Sequence, residues 1–477
     1  MQMIIGGKKV SSSDGKVSNV FNPATQELLD TVPVATEEDI ERCLDIAQDG
    51  KKLWAGTPLV ERSKILLKYA SLLESHKKEL ATLQSKDMGK PFSQCVGEVD
   101  TAIMLFEGFV ERAKHLYGET VPESQPGAEK DILFTRREPL GVIACILPFN
   151  FPTTLFAHKV APALVSGNAV VIKPSSDNPL VVIRLTELLL EAGVPGSVAQ
   201  VITGSGSMVG KILCSSTKVN AITLTGSTEA GITVMRDSAD ALHRVTLELG
   251  GNDPMVIFAD GDLELAVNEA YSGRIANAGQ ICCSPKRFIV QEPIAKDFVN
   301  KLKAKFGKIV KGDILDPRTE LGCLINENAA KRIEEQVKLT IQQGAKCVCG
   351  GKRNGAFFEP TILVDVTPDM DVAKDMEIFG PVFPIIAFKT EEEALTIANN
   401  TKYGLCAGVV TSDINKGIRF MSKVEAGTVV INGNSRYRHI DHRFGGYKMS
   451  GIGREGIPCT IEEMTQVKTY VLKGILK

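Results

Sequence analysis

The chain has 477 residues, with 55 Lys and Arg against 57 Asp and Glu and a formal net charge of −2. This balance gives no electrostatic basis for binding nucleic acid or an anionic membrane, so we expect neither as a partner. The length exceeds one ordinary hydrophobic core, and the 43% hydrophobic content is that of a globular protein, so we expect two or three domains.

The first residues and the cysteines bear on where the protein works. The N-terminal segment lacks the apolar stretch of a signal peptide, and no apolar run is long enough to span a bilayer. The eleven cysteines follow no disulfide framework, and the close pair Cys347 and Cys349 has no partners at zinc-site spacing, so a strand with alternating faces is the simpler interpretation. We therefore expect a cytoplasmic protein without a bound metal.

Residues 36–116 show apolar positions three and four apart, the spacing of amphipathic helices. From residue 141 the pattern changes to short apolar runs separated by segments of helical length. Uninterrupted apolar strands that alternate with helices predict a parallel sheet covered on both faces. The predicted strands of this first series are residues 142–147, 169–173, 198–202, 221–224 and 245–247.

A second series of strands and helices follows residue 248. Its predicted helices are residues 263–278 and 294–309, and its predicted strands are residues 254–258, 287–290, 382–388, 408–410 and 428–432. Two α/β units in series place the residues around 248 and 282 at their junction, where small-molecule sites are common. Residues 118–137 are polar and interrupt the first unit, and residues 464–472 alternate like a strand.

Two residues near this junction indicate a reactive site. Cys282 follows a turn that contains Gly279 and Gln280, and Glu248 precedes a Gly-Gly pair. A thiol can form a thioester, and a separate carboxylate can activate the water that hydrolyses it. Alone, each residue has a structural interpretation, since an isolated cysteine is usually a small buried hydrophobe.

Polar residues also stand where predicted strands end. Asn150 lies between two prolines after the first strand, where its amide could stabilise an oxyanion; the alternative is an Asn that caps the next helix. Lys173 ends the second strand and suits a ribose or phosphate, or is an ordinary solvated lysine. Residues 225–231 open a helix as a phosphate-binding turn does, but lack the middle glycine of the G-x-G-x-x-G fingerprint.

The order of these motifs resembles that of the aldehyde dehydrogenase superfamily over essentially the whole chain. Pro-Phe-Asn-Phe-Pro, Lys-Pro-Ser, Gly-Ser-Thr-Glu-Ala-Gly, Glu-Leu-Gly-Gly and Gly-Gln-Ile-Cys follow one another, and Glu-Ile-Phe-Gly-Pro and Phe-Gly-Gly-Tyr-Lys come later. The resemblance implies two doubly wound α/β domains, one a Rossmann-like cofactor domain and one catalytic, plus a small β bridging element used in oligomerisation. The implied bounds are 1–117 with 138–249 for the cofactor domain, 250–447 for the catalytic domain, and 118–137 with 448–477 for the bridging element.

The resemblance also implies roles for the residues at the motif positions. Cys282 corresponds to the nucleophile, with Cys283 as a bystander. Glu248 corresponds to the general base, and Asn150 with the Cys282 backbone N–H to the oxyanion hole. The activity implied is oxidation of an aldehyde to its carboxylic acid by a homodimer or homotetramer.

NADP or NAD is the cofactor that the resemblance implies. Its adenosine ribose would lie at Lys173, its pyrophosphate at Ser227, and its nicotinamide ribose at Glu377 with Phe379 beside the ring. The other implied cofactor contacts are Leu147, Pro148, Phe149, Ser176, Gly206, Gly226 and Leu249.

Residues 434–443 contain three Arg and two His, and the resemblance places this segment at the substrate mouth. Arg436, Arg438 and His439 could bind a carboxylate, phosphate or sulfonate; the alternative is a solvated loop or subunit contact. Further substrate candidates are Arg112, Phe151 and His158. This segment and residues 461–465 are most similar to lactaldehyde and succinate-semialdehyde dehydrogenases, which implies a small hydroxy- or anionic aldehyde.

Three alternatives remain at this stage. One is a coenzyme A-acylating aldehyde dehydrogenase, although that branch typically lacks the glutamate found here at Glu248. Another is a non-phosphorylating glyceraldehyde-3-phosphate dehydrogenase, although Ile281 occupies the position where those relatives often have Arg. The third is a binding protein that kept the fold, which is disfavoured because the nucleophile, base and oxyanion positions are all filled.

Ser176 predicts the choice of cofactor. NAD-preferring relatives often have Glu at this position, three residues after the lysine, where its carboxylate holds the ribose 2′-OH and repels a 2′-phosphate. We therefore predict that the protein uses NADP, with or without NAD. Ser176→Glu is expected to shift the ratio of kcat/KM for NADP and NAD towards NAD by roughly tenfold, while Ser175→Glu shifts it less. A wild-type ratio strongly in favour of NAD would contradict this prediction.

Overall fold

The computed structural model describes residues 1–476, and helices fill most of the region 36–116 as predicted. The helix predicted over residues 263–278 instead ends at Ile275, because residues 277–279 adopt positive φ, and the helix predicted over 294–309 runs from Glu292 to Phe306. No helix within residues 1–476 has the length and apolar character needed to cross a membrane. The helices are α1 (Glu37–Gly56), α2 (Leu59–Ser75), α3 (Lys77–Met88), α4 (Phe92–Ala113), α5 (Pro152–Val165), α6 (Leu180–Ala192), α7 (Lys211–Ser215), α8 (Thr228–Ser238), α9 (Leu263–Ile275), α10 (Glu292–Phe306), α11 (Glu327–Gln342), α12 (Glu391–Asn399), α13 (Ile414–Lys423) and α14 (Ile457–Glu463).

The strands of the first half are short and largely apolar. They are β1 (Met3–Ile5), β2 (Lys8–Val10), β3 (Val17–Phe21), β4 (Leu28–Pro33), β5 (Thr120–Val121), β6 (Ile132–Pro139), β7 (Val142–Ile146), β8 (Ala169–Lys173), β9 (Ala199–Val201), β10 (Ala221–Thr225) and β11 (Arg244–Glu248). Every residue of β7, β8 and β10 is buried, as a strand covered on both faces requires.

The strands of the second half follow the predicted order, and Cys347 and Cys349 lie in one of them. They are β12 (Pro254–Ile257), β13 (Arg287–Gln291), β14 (Lys346–Cys349), β15 (Arg353–Asn354), β16 (Phe357–Phe358), β17 (Thr361–Val364), β18 (Val382–Phe388), β19 (Tyr403–Gly404), β20 (Cys406–Val410), β21 (Thr428–Ile431), β22 (Tyr447–Lys448), β23 (Gly451–Ile452) and β24 (Thr465–Leu472).

The first sheet has the order β2-β1-β9-β8-β7-β10-β11-β23, and its five central strands, β9 to β11, are parallel. Successive side chains of its strands point to opposite faces of the sheet and pack in different hydrophobic clusters. Ile143 packs with the cluster of α2, α4, α5 and α6, whereas Val142 packs with that of α1. Helices therefore cover both faces of the sheet, as the apolar strands predict.

The second sheet has the order β14-β17-β18-β13-β12-β20-β21 and is parallel from β17 to β21. One large cluster joins it to the helices that follow its strands. Two parallel sheets with helical connections confirm the predicted architecture of two doubly wound α/β units.

A third, antiparallel sheet has the order β24-β6-β5. β24 pairs with β6 over eight residues, from Thr465 opposite Pro139 to Leu472 opposite Ile132, which agrees with the strand predicted at residues 464–472. β23 instead pairs with β11 in the first sheet, with Gly451 opposite Glu248. The C-terminal segment thus contributes to two sheets, and the predicted domain bounds stay a prediction.

Candidate active site

Four of the predicted site residues follow the carboxyl ends of neighbouring parallel strands. The register places Ile146 of β7 beside Lys173 of β8, and Thr225 of β10 beside Glu248 of β11. The loops after these strands therefore leave the sheet at one edge, which is where open α/β sheets bind ligands. Asn150, Lys173, Ser227 and Glu248 all lie in or at the start of these loops.

The turn before Cys282 has an unusual backbone. Asn277, Ala278 and Gly279 have φ values of 48°, 51° and 76°, in the left-handed region that L-residues rarely adopt. A Cβ atom on Gly279 would lie 2.3 Å from the carbonyl oxygen of Gly380, so this position requires glycine for space as well as for conformation. Such strain persists only where surrounding contacts hold it.

Buried side chains supply those contacts. The Arg274 guanidinium, which is fully buried, donates to the Gly279 carbonyl at 3.4 Å and to Ser284 Oγ at 3.2 Å. It also donates to the carbonyls of Ile378 and Val382, so one arginine joins the cysteine turn to the segment around Phe379. The sequence did not indicate that Arg274 supports the cysteine turn or that it joins this turn to the segment around Phe379.

Asn150 is buried beside this turn and does not cap a helix. Phe151 occupies the cap position of α5 and no side chain bonds there, so the helix-cap alternative is wrong. Asn150 Nδ2 donates to the Gln280 carbonyl at 3.0 Å, and its Oδ1 has no partner. Its backbone carbonyl accepts from Lys90 Nζ at 3.0 Å and from Asn277 Nδ2 at 2.9 Å.

Cys282 and Glu248 are close enough to act on each other electrostatically, and Glu248 is buried whereas Cys282 is partly accessible. Both oxygen atoms of Glu248 are buried without a hydrogen-bond partner. Burial, reinforced by the charge of Glu455, raises the pKa of Glu248 well above its ordinary value. The contact with the Cys283 thiol, burial and the Glu248 carboxylate together raise the pKa of Cys282. These effects favour the neutral form of each group.

A charged cluster adjoins Glu248. Glu455 accepts from Arg438 Nη2 at 2.7 Å and from Lys159 Nζ at 3.3 Å, and Arg438 also lies 3.3 Å from His158 Nε2. Although burial opposes its charge, the positive groups around Glu455 hold its pKa well below the usual range. Burial lowers the pKa of His158 to about 3, so this imidazole is neutral.

The structure gives each of the predicted substrate residues a different set of contacts. The Arg438 guanidinium stacks on the Phe444 ring, 3.7 Å from its centroid, and its charge acts on Glu248. Arg436 instead donates to the Ser272 carbonyl, His439 is exposed beside Asp441, and Arg112 pairs with Glu462. Phe151 packs against the hydrophobic cluster around Cys282, and Lys90 Nζ lies 3.5 Å from its ring centroid.

The predicted cofactor residues lie on the other side of the same edge of the first sheet. Lys173 is buried rather than solvated, donates only to the Pro174 carbonyl, and burial lowers its pKa to about 8. Ser227 caps α8 by accepting from Ala230 N, and Ser176 Oγ donates to the Gly204 carbonyl at 2.9 Å. Gly226 and Gly206 lie in the neighbouring loops.

These residues suit a dinucleotide. The buried Lys173 amine has no carboxylate within ion-pair distance among residues 1–476, and the buried Thr225 hydroxyl has no partner. A Cβ atom on Gly206 would meet no atom within 4 Å, which leaves open space beside them. Unpaired donors around open space, next to the N-terminus of α8, fit hydroxyls and phosphates.

The remaining cofactor positions surround Glu377. Its Oε1 accepts from Gly251 N at 3.3 Å and lies 3.3 Å from Lys286 Nζ. The Phe149 and Phe379 rings meet edge to face, with centroids 6.0 Å apart. Leu147, Pro148 and Leu249 follow β7 and β11 at the same edge.

Several residues of the site were missed in the sequence. Lys159, Glu455 and Lys286 are nearly fully buried charges. Lys159 had a usable signal, since it and His158 are polar residues inside a helix, α5, whose other residues after the first turn are apolar. Glu455 and Lys286 had none, because a Glu in a Gly-rich turn and a Lys before a strand are ordinary surface patterns.

We expect Glu455→Gln to destabilise the fold, because Lys159 and Arg438 would lose their shared carboxylate. Breaking a buried ion pair in this way costs about 3–5 kcal/mol in the free energy of unfolding. The folded-state pKa of Glu455 is depressed, so its stabilisation is present above its ordinary value of 4.5 and is lost as the pH falls below it. Urea unfolding should show the largest deficit near neutral pH and a smaller one below pH ~4.5.

Glu425→Gln is the control, because its partner Lys448 is a surface residue and such pairs contribute at most about 1 kcal/mol. Equal losses for the two variants would contradict the role assigned to the cluster.

Comparison with known proteins agrees with this geometry. The model of the Aldehyde dehydrogenase family matches residues 9–470. Lactaldehyde dehydrogenase of Methanococcus aeolicus is 38% identical over 98% of this chain and 99% of its own length. The 3-sulfolactaldehyde dehydrogenase of Priestia aryabhattai is 40% identical over 95% and 94%, and the NADP(+) succinate-semialdehyde dehydrogenase of Escherichia coli is 37% identical over 99% and 98%.

Solved structures give the same result for the fold. A crystal structure of an NADP-dependent enzyme of E. coli superimposes with a TM-score of 0.96 at 37% identity, covering 99% of this chain and 98% of that one. The expected kinship with lactaldehyde and succinate-semialdehyde dehydrogenases is confirmed, as is an oxidoreductase with NAD or NADP as cofactor. The chain belongs to the aldehyde dehydrogenase family, whose members are NAD(P)-dependent oxidoreductases.

Proposed function

We propose that the protein oxidises a small anionic or hydroxylated aldehyde to its carboxylic acid through a thioester on Cys282 that water hydrolyses. The observation that carries the proposal is the grouping of the partly buried Cys282 with the buried Glu248 and Asn150, with both oxygens of Glu248 unpaired. A carboxylate held without partners is free to bind the water that must attack a thioester.

Cys282 would attack the aldehyde carbon as a thiolate, forming a C–S bond while the carbonyl π electrons move to oxygen. Asn150 Nδ2 keeps one N–H on the Gln280 carbonyl, so its second N–H is available for that oxyanion together with the Cys282 backbone N–H. Fixed donors of this kind contribute about 3 kcal/mol or more each in working sites. NADP or NAD, when bound, would accept the hydride released from the substrate carbon.

Glu248 would then take a proton from water as the water oxygen attacks the thioester carbon. The C–S bond breaks, the carboxylic acid leaves, and Cys282 recovers its proton. Because burial raises the pKa of Glu248, its carboxylate is a stronger base than an exposed one, which suits it to take a proton from water.

Arg438 supports an anionic substrate. Only its Nη2 atom is engaged, with Glu455 and His158, and the other nitrogen atoms make no hydrogen bond within residues 1–476. Arg438 and Lys159 carry two positive charges against the one negative charge of Glu455, since His158 is neutral and burial favours neutral Glu248. An excess positive charge beside Glu248 favours a substrate that carries a carboxylate or sulfonate.

The relatives support the same substrate class. They include enzymes named for lactaldehyde, 3-sulfolactaldehyde and succinate semialdehyde, which are small hydroxylated or anionic aldehydes. Transfer to coenzyme A remains the main alternative, and a requirement for coenzyme A in product formation would favour it. Glyceraldehyde 3-phosphate remains a second alternative, disfavoured by Ile281 before the nucleophile.

We propose a homodimer or homotetramer built through the third sheet. Its outer strand β24 leaves one edge unpaired among residues 1–476 and exposes Val467, Val471 and Leu472. Exposed apolar residues on an open strand edge favour pairing with another chain. A monomer in analytical ultracentrifugation would contradict this. The cytoplasmic location also stays a proposal, supported by eleven free cysteines and tested by fractionation.

Glu248→Gln is expected to separate the two chemical steps. The variant should still release about one reduced cofactor per subunit in a rapid burst and then turn over roughly 100-fold or more slowly, because only hydrolysis needs the carboxylate. Stopped-flow absorbance of reduced cofactor measures both phases. Cys282→Ala should show neither. A normal steady rate in Glu248→Gln would remove Glu248 from the mechanism.

Arg438→Met is expected to weaken anionic substrates selectively. KM for succinate semialdehyde and 3-sulfolactaldehyde should rise roughly 10- to 100-fold, the loss of one charge-assisted contact, while KM for propanal changes little. Arg438→Lys should retain part of the preference. Arg436→Met is the matched control, because its guanidinium donates to the Ser272 carbonyl instead. Equal losses for charged and neutral aldehydes would show that Arg438 acts only in holding Glu455.

A further inference from the structure

A buried ion pair lies directly behind the segment that carries Asn150. Lys90, in the connection between α3 and α4, pairs with Glu98 of α4, and the two side chains are 1% and 3% exposed. Ser85 Oγ donates to the Lys90 carbonyl at 2.6 Å, and Gly89 ends α3 with a φ of 77°, so the backbone that presents Lys90 is fixed. Within residues 1–476, Glu98 is the only carboxylate at ion-pair distance from the Lys90 ammonium group.

Lys90 contacts the Asn150 segment at two points. Its Nζ donates to the Asn150 carbonyl at 3.0 Å and lies 3.5 Å from the centroid of the Phe151 ring. The first contact is a charge-assisted hydrogen bond and the second is a cation–π interaction, and both are stronger in a buried site than in water. One ammonium group therefore holds both the backbone and the ring that follow β7.

Glu98 and Gln84 hold the residues that come next. Glu98 Oε2 accepts from the Thr154 backbone N–H at 3.3 Å, and Glu98 Oε1 accepts from Gln84 Nε2. Gln84 Oε1 accepts from the Thr153 hydroxyl at 2.6 Å. Four of the five residues from 150 to 154 therefore contact a single network of three buried side chains, Gln84, Lys90 and Glu98.

The same pair of helices supports the turn that carries Cys282. Gln94 of α4 accepts from the Asn277 backbone N–H at 2.8 Å. Asn277 in turn donates to the Asn150 carbonyl, which is the atom that Lys90 also contacts. The side chains of α3 and α4 and of their connection are therefore bonded to both halves of the proposed oxyanion hole.

The Asn150 side chain depends on this support. Asn150 Nδ2 donates to the Gln280 carbonyl, but its Oδ1 has no partner among the described residues, so a single hydrogen bond holds the amide. The direction of its second N–H is therefore set largely by where the Asn150 backbone lies. A buried ion pair adds little stability, because the loss of hydration offsets the attraction between its charges. A pair placed behind this loop is better suited to fixing its geometry.

We propose that Lys90, Glu98 and Gln84 are positioning residues that hold Asn150 in the oxyanion hole. The inference rests on the proposed role of Asn150 and adds the residues that act through it. Lys90 keeps the second Asn150 N–H directed at the oxygen that becomes negative when the C–S bond forms. A misplacement of about 1 Å in such a site can lower the rate about 100-fold.

The test is a double-mutant cycle on Lys90 and Asn150. Its readout is the rate constant for the first release of reduced cofactor, measured by stopped-flow absorbance with saturating NADP and succinate semialdehyde, or with NAD or propanal where these react faster. Lys90→Met should lower this rate constant roughly 10- to 100-fold, and Asn150→Ala roughly 100- to 1,000-fold. The double variant should match Asn150→Ala to within about twofold, because Lys90 acts only through Asn150. Lys90→Arg keeps the charge and should retain more of the rate than Lys90→Met.

Alkylation of Cys282 by iodoacetamide distinguishes positioning from general damage to the site. The thiolate displaces iodide from a methylene carbon, so the reaction develops no oxyanion and does not need Asn150. Labelling of Cys282, followed by peptide mass spectrometry, should proceed at the wild-type rate in Lys90→Met, whereas a collapsed site would change both rates. Lys77→Met is the matched control, because Lys77 also joins α3 to α4, through a solvent-accessible pair with Asp100, and it should keep the wild-type rate constant.

The outcomes separate the positioning role from the function on which it rests. Losses that multiply in the double variant, or a wild-type rate constant in Lys90→Met, would overturn the positioning role and leave the oxyanion hole intact. A wild-type rate constant in Asn150→Ala would instead contradict the proposed function. If Lys90→Met does not fold, Glu98→Gln decides the question, because it keeps the shape of the side chain and removes the charge that fixes Lys90. Its loss should likewise disappear in the Asn150→Ala background, and a loss that persists there overturns the proposal.

Discussion

The hydrogen bond from Asn150 Nδ2 to the Gln280 carbonyl connects the two parallel sheets at the candidate active site. Asn150 follows a strand of the first sheet, and Gln280 belongs to the turn that enters the second. Asn277 Nδ2 also donates to the Asn150 carbonyl, so two side-chain amides connect the loop after β7 with the turn before Cys282. The left-handed backbone of residues 277–279 depends on these hydrogen bonds and on Arg274, and so does the direction of the Cys282 backbone N–H.

Burial sets the chemistry of the site in its resting form. The contact with Cys283 raises the pKa of Cys282 and burial raises that of Glu248, so the neutral form of each is favoured. If both side chains were exposed to solvent, Cys282 would be a reactive thiolate and Glu248 an unselective carboxylate.

Burial also determines how charge is arranged in the cluster next to Glu248, which consists of Lys159, Arg438 and Glu455. Lys159 and Arg438 share one carboxylate, Glu455, so the cluster keeps a net positive charge without exposing it broadly to solvent. A charge in a nearly dry site acts more strongly on a substrate than one in water, because screening is weak there. This arrangement can select an anionic aldehyde with a single arginine, whereas Arg436 and Arg112 use their guanidinium groups on other partners.

The sequence by itself determined the elements and the reactive residue types. The apolar run of residues 142–147 predicted a buried strand, and the motif order predicted a site at Asn150, Glu248 and Cys282, because both signals are local in the chain. It did not decide whether Asn150 caps a helix, whether Lys173 is solvated, or which arginine pairs with Glu455. Those depended on tertiary structure, since burial and charge pairing arise between segments such as Lys159 and Glu455, which are 296 residues apart. Sequence spacing carries no information about contacts over such separations, and only the packing of the sheets and loops creates them.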